Sequence, residues 1–226
     1  MRAALTSPRT VRDSSLTVAG IDIGGVRKGC HLVVLRGNAI VCNIRRGDPE
    51  NLARMCEELG AVAVGIDSPC RWGQPQSGRL AEKALAKERI FSFATPTRER
   101  AAANTSGFYG WMFCGERVYQ ALAATHPLLS DVGYAGGKVC FETFPHAITC
   151  AMLGTAEASA KRKRVQRRQL LRDAGIDPTP LKSIDAVDAA LCALTATYVI
   201  AGRSEAYGDT EGGYIFVPAS LRPFDF

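Results

Sequence analysis

The sequence contains no C-x-x-C pair, no uninterrupted apolar stretch of membrane-spanning length and no repeat of fixed period, and each absence removes a class of protein. The eight cysteines (Cys30, Cys42, Cys56, Cys70, Cys114, Cys140, Cys150 and Cys192) are scattered without the paired spacing of a zinc site, so they read as reduced, mostly buried thiols. Residues 1–15 are polar and Arg-containing and lack the apolar segment that a secretory signal needs; they read as a flexible tail. The most apolar long stretch, residues 184–202, is interrupted by Asp185, Asp188 and several threonines, which argues against a conventional membrane span. A cytoplasmic protein with no membrane partner is expected. No low-complexity linker marks a boundary, so residues 16–226 read as one domain.

What is present is ordinary globular composition. The 226 residues are 46% hydrophobic and 22% charged, with mean hydropathy near zero, enough to bury one sizeable core. The formal net charge of +6 favours contact with nucleic acid or another polyanion.

Residues 16–25 open apolar and turn polar and glycine-rich, as a central strand running into a tight turn does. Two β-rich runs, residues 30–35 and 39–44, flank Arg36-Gly37-Asn38 in the manner of a hairpin. Asp48-Pro49-Glu50 offers an N-cap, a first-turn proline and an acid ahead of Leu52, Met55, Cys56 and Leu59, which predicts a helix ending at Gly60. Residues 61–69 return to a buried-strand pattern that stops at Pro69. Residues 70–134 hold two predicted helices, 77–90 and 108–125, joined by the polar segment 95–100, and read as an insertion over the sheet. Residues 138–145 predict a fifth strand, a basic helical stretch runs from Gly154 to near Gly175, and a last long helix begins after Ser183. Residues 213–218 suggest a short terminal strand. The order predicts an α/β fold: a mixed five-stranded sheet flanked by helices, with the helical insertion between strands four and five.

Four carboxylates fall where this topology could gather them: Asp22 after strand one, Asp67 after strand four, and Asp185 with Asp188 on one face of the last helix. Clustered carboxylates repel one another unless a cation sits among them, and hard oxygen donors suit Mg²⁺ or Mn²⁺. Two such ions would activate a water and stabilise the leaving oxygen in phosphodiester cleavage. Each acid also has a plainer reading. Asp185 suits a helix start through the dipole, and Asp22 and Asp67 suit turns. Asp188 is harder to dismiss, because it lies among Ala186, Val187, Ala189, Ala190, Leu191 and Cys192.

Other residues carry double readings. Glu142 and His146 fit a supporting acid and a general base, or a structural pair. Arg79 and Glu82 could reach a phosphate and a metal, or each other. Lys161, Arg162, Lys163 and Arg164, followed by Arg167 and Arg168, place six positive charges in eight positions on a predicted helix, either a contact for backbone phosphates or a solvated face. Trp72, Phe108, Tyr109 and Trp111 could stack on bases or pack as core.

These motifs together resemble a known family. Gly20-Ile21-Asp22-Ile23-Gly24-Gly25, Gly65-Ile66-Asp67-Ser68-Pro69, Gly78-Arg79-Leu80-Ala81-Glu82, Tyr109-Gly110-Trp111-Met112, Phe141-Glu142-Thr143-Phe144-Pro145-His146, Asp185-Ala186-Val187-Asp188-Ala189-Ala190 and Tyr207-Gly208-Asp209 are similar to the marks of the bacterial and archaeal domain of unknown function 429. Its members are described as predicted nucleases of RNase H-like fold. The last helix also resembles the acidic C-terminal helix of Holliday-junction resolvases, where a D-x-x-D pair completes a metal site begun by a first-strand Asp. Asp67 would stand where those enzymes usually carry Glu. The resemblance implies a metal-dependent nuclease acting on DNA or RNA, with Asp22, Asp67, Asp185 and Asp188 as ligands of Mg²⁺ or Mn²⁺. Two alternatives differ in class. The first glycine-rich turn also resembles the phosphate loop of the actin-like and sugar-kinase superfamily, which implies a nucleotide-binding or phosphotransfer protein; at this length a homodimer would have to supply the second domain. The other alternative is a non-catalytic nucleic-acid-binding module.

Overall fold

The computed structural model describes residues 16–25 and 28–219. The tail expected over residues 1–15 lies outside them. Strand β1 (Thr17–Asp22) is buried along its whole length, so its apolar side chains need cover on both faces and its backbone needs partners on both edges. β2 (Cys30–Arg36) pairs antiparallel on one edge and β4 (Ala63–Asp67) parallel on the other. β3 (Ala39–Gly47) completes the opening meander, and β5 (Val139–Glu142) continues the parallel part.

The sheet has seven strands in the order β3-β2-β1-β4-β5-β7-β6, not the five expected from the sequence. β7 (Gly213–Pro218) is the suspected terminal strand, parallel to β5. β6 (Ser204–Asp209) is the unforeseen one, an edge strand antiparallel to β7 and half-buried throughout. Its sequence, SEAYGD, has no run of apolar residues because an edge strand with one wet side needs none.

A second correction concerns the fifth strand. It ends at Glu142, and Pro145 begins helix α5 (Pro145–Leu153), which the sequence reading missed. Proline fits there because its absent N–H would have no partner in a first helical turn. The expected helix α1 (Pro49–Glu58) forms as read, with the Asp48 side chain accepting from the Asn51 N–H at 3.0 Å. The insertion consists of α2 (Leu80–Lys87), the short α3 (Arg98–Ala102) and α4 (Gly110–Leu122). The basic stretch becomes α6 (Lys163–Asp173), preceded by a 3-10 turn at Ala160–Arg162, and the last long helix is α7 (Ile184–Ile200), capped by the Ser183 hydroxyl.

Alternation along the strands divides the core in two. Val18, Val33, Leu35, Ala63 and Phe141 pack under α7, whereas Ala19, Ile21, Leu32, Val34, Val64 and Ile66 pack with Leu52 and Cys56 of α1 and Val118 and Leu122 of α4. Helix α7 is apolar nearly all round because it lies between the sheet and α5 and α6. Two glycines let it come close. A Cβ on Gly20 would meet the Ala189 carbonyl oxygen at 2.0 Å, and one on Gly65 would meet that of Cys192 at 2.5 Å. Gly20 and Gly65 are register partners, so α7 crosses β1 and β4 along one line. Among the described residues no helix is long and apolar enough to cross a membrane.

Candidate functional site

The two glycines also fix where the acids point. Asp22 and Asp67 lie two residues beyond Gly20 and Gly65 and are themselves register partners, so both face α7 at the C-terminal ends of their strands. Moving along α7 away from Ala189 and Cys192 toward its start brings Asp188 and Asp185, one turn earlier, to the same level. His31 on β2 is the antiparallel partner of Asp22 and shares that face. Ligand-capable atoms of Asp22, His31 and Asp185 all lie within 4.8 Å of one another.

This group carries more negative charge than its surroundings neutralise. Burial, then the charges of Asp188 and Asp185, push the Asp22 carboxyl up to about 7, although Lys28 and Arg167 act in the opposite sense. Burial, then Asp22 and Asp188, hold the Asp67 carboxyl well above the usual carboxylate range. Lys28 bonds Asp185 at 2.7 Å from an exposed position. Arg167 bonds Asp188 at 2.6 Å with both side chains buried, and burial still holds Asp188 above its ordinary value. Three polar atoms here, Asp188 Oδ1, Arg167 Nε and His31 Nδ1, are buried with no hydrogen-bond partner among the described residues. Burial lowers the His31 pKa, which favours the neutral imidazole that can act as a ligand.

These donors fit a divalent cation. Asp22, Asp185 and His31 are close enough to share one, the like-charge repulsion would be relieved by it, and an unpartnered imidazole nitrogen is on hand. Asp67 stands beside this group, and Asp188 is held by Arg167.

Glu142 goes elsewhere. It pairs in register with Ile66, one residue short of Asp67, so its side chain points to the opposite face. There Arg79 grips both carboxylate oxygens, at 2.9 and 2.5 Å, while Cys70 N–H donates to one of them at 2.8 Å. Arg79 is fully buried and also donates to the Gly212 carbonyl at 2.8 Å, which leaves it no open path to a phosphate. Glu82 accepts from the Thr95 N–H and hydroxyl and lies 3.5 Å from Arg79. His146 sits in the first turn of α5, its Nε2 3.7 Å from Cys150 Sγ, with a pKa lowered by burial and by Arg167.

The basic run divides as well. Lys161, Arg162, Lys163 and Arg164 are exposed, and Lys163 is near enough for its charge to act on Asp188. Arg167 turns inward to Asp188, and Arg168 donates to the Pro178 and Leu181 carbonyls. Sequence reasoning missed His31, Lys28 and the special position of Arg167. His31 had one available signal: a histidine at the start of an otherwise apolar strand. Arg167 lies three and four residues before the apolar Leu170 and Leu171, which marks it as belonging to the inward face.

Comparison with curated proteins finds no match. Among solved structures the chain is similar to one titled "Thermus thermophilus RuvC structure", at 17% identity over 83% of this chain and 97% of that one, with a TM-score of 0.43. Residues 20–212 match the family model described as "Protein of unknown function (DUF429)", and the chain belongs to that family.

Proposed function

We propose that this protein is a metal-dependent nuclease of RNase H-like fold that hydrolyses phosphodiester bonds in DNA or RNA. The observation that carries the reading is the under-neutralised group at the ends of β1 and β4, where Asp22, Asp185 and His31 approach within 4.8 Å and the Asp22 carboxyl is pushed up to about 7. Asp22, Asp185 and His31 would hold Mg²⁺ or Mn²⁺, with the imidazole favouring Mn²⁺, and Asp67 and Asp188 would complete the site. When bound, such an ion lowers the pKa of a water and offsets charge on the phosphate.

The remaining roles belong to the chain itself. Asp67, the register partner of Asp22 at the end of β4, would hold the ion from the neighbouring strand. Exposed Lys161, Arg162, Lys163 and Arg164 would bind backbone phosphates beside the site. Arg79 and Glu142 act at one remove, with Glu142 anchoring the backbone at Cys70 after β4. His146 is assigned no step.

The test is cleavage of single-stranded, duplex and branched DNA and of RNA by purified protein in Mg²⁺ or Mn²⁺, beside Asp22→Asn. Cleavage by the wild type alone is expected; equal background from both removes the reading. One observation favours a second reading, a non-catalytic nucleic-acid-binding module: Arg167 already occupies Asp188. Binding that survives both EDTA and Asp188→Asn, with no cleavage of any substrate, would select it.

A further inference from the structure

A half-open pocket of about 70 Å³ lies between the ends of β4 and β5 and the helical insertion, with Asp67 in its lining. It has room for several water molecules, enough for the edge of one planar ring. Phe93, Trp111 and Phe144 contribute ring surface to it. Its charged groups are all acidic: Asp67, Glu82 and Glu142, with Arg79 bound behind Glu142. Such a lining repels a phosphate. It suits a neutral ring that carries N–H donors.

Two further features point to a ligand there. Ser68 lines the pocket at 3% exposure, and its Oγ has no hydrogen-bond partner among the described residues, an expensive state for a buried hydroxyl. A strip of aromatic rings leads out from the pocket to solvent. Phe93, 41% exposed, lies 6.1 Å from Trp111, 6.1 Å from Tyr109 and 5.7 Å from Phe108, which is itself 56% exposed. Rings left half in water at the mouth of a pocket are a surface for stacking and add little to the core.

We infer that this pocket receives an unpaired nucleobase next to the bond to be cut, so that the substrate is single-stranded or carries an extrahelical nucleotide. The inference rests on the nuclease reading, because Asp67 joins the pocket to the metal-binding group. A base inside a duplex cannot enter, since its ring faces and its N–H donors are already taken by stacking and pairing. Phe93 and Trp111 would take the place of the lost neighbours in the stack, and the Asp67 carboxyl and the Ser68 hydroxyl would bond the base edge.

Binding in EDTA separates this from the chemistry. The probes are two short DNA duplexes, one with a single bulged 2-aminopurine and one with the same base paired. The full-length wild type is expected to bind the bulged probe about tenfold more tightly and to quench its fluorescence. Phe93→Ala should lose the preference and the quench while melting at the wild-type temperature. Phe91→Ala, at a ring that is 72% exposed and outside the pocket, should keep both. Equal affinity for the two probes, no binding of either, or a quench unchanged in Phe93→Ala overturns the inference. Cleavage of both probes in Mn²⁺ without preference overturns the pocket and leaves the nuclease standing. A preserved preference with no cleavage by any metal does the reverse.

Discussion

Two acidic clusters lie at the same edge of one sheet, on opposite faces, and they have been resolved in opposite ways. Around Glu142 and Glu82 nearly every polar contact is met internally: Arg79 lies across Glu142, backbone N–H groups cap both carboxylates, and the Gly212 carbonyl accepts from Arg79 Nε. Around Asp22, Asp67, Asp185 and Asp188 the charges are only partly offset, and three buried polar atoms find no partner among the described residues. The number of acids does not separate the clusters. Unmet electrostatic demand does, and it marks the α7 side as the place where a cation would stabilise the fold. A cluster already satisfied by its own protein has little left to offer a ligand.

The sharpest way to break this comparison is to unbalance the satisfied cluster. Arg79→Ala leaves Glu142 buried without its counter-charge and should cost about 3–5 kcal/mol by urea unfolding, with no recovery on adding Mn²⁺. Arg167→Ala makes the corresponding cut on the other face. It should cost less, about 2 kcal/mol, because Asp188 is already held above its ordinary pKa and takes up a proton readily; here Mn²⁺ should restore much of the melting temperature. If both variants respond to Mn²⁺ alike, the distinction between the clusters fails.

Gly20→Ala tests the geometry that assembles the α7 side. A Cβ placed 2.0 Å from the Ala189 oxygen and 2.2 Å from the Ala193 nitrogen must push the helix off β1. A loss of about 1–3 kcal/mol is expected, together with loss of the metal-induced stabilisation expected of the wild type.

Asp22→Asn probes the charge itself. The folded protein holds the Asp22 carboxyl at about 7, above the unfolded value of 3.8, so the fold favours the protonated form. That contribution is fully present below about pH 4 and is lost as the pH rises through about 7. The variant should therefore gain melting temperature relative to wild type between pH 4 and 7, with the gap level above that range. Mn²⁺ at pH 8 should narrow the gap by stabilising the wild type alone. A gap independent of pH would mean that Asp22 is not strained.

The smallest effect on stability belongs to Lys161→Ala with Arg164→Ala, two exposed positions, where urea unfolding should move by less than about 0.5 kcal/mol. DNA affinity should nevertheless fall, and the slope of log affinity against log salt should drop by about 2 in magnitude. An unchanged salt slope would return this run to the status of a solvated face.

Much of the frame was legible in the chain. The apolar run ending at Asp22, the hairpin around Gly37, the cap at Asp48 and the strand ending at Asp67 are local signals, set by side-chain size, backbone preference and burial period, and they survive in the structure. The D-x-x-D pair on an apolar helix announced its own oddity. By contrast β6 stayed hidden, because an edge strand with one exposed side has no need of an apolar pattern. Asp67 read as an acid at a strand end and Glu142 as one inside a strand. Register alone sends them to opposite faces, and a one-residue offset between β4 and β5 cannot be read from either strand.

The sequence by itself therefore determined which residues are acids at the ends of strands, and that a long apolar helix carries two more. Only the tertiary structure decided which of them share a face, that His31 joins them, and that Arg79 neutralises one cluster while the other stays short of charge. The physical reason is range. Capping, periodicity and turn chemistry act over a few residues, whereas electrostatic demand is a sum over groups brought together from β1, β2, β4, α6 and α7, and that sum exists only once they are packed.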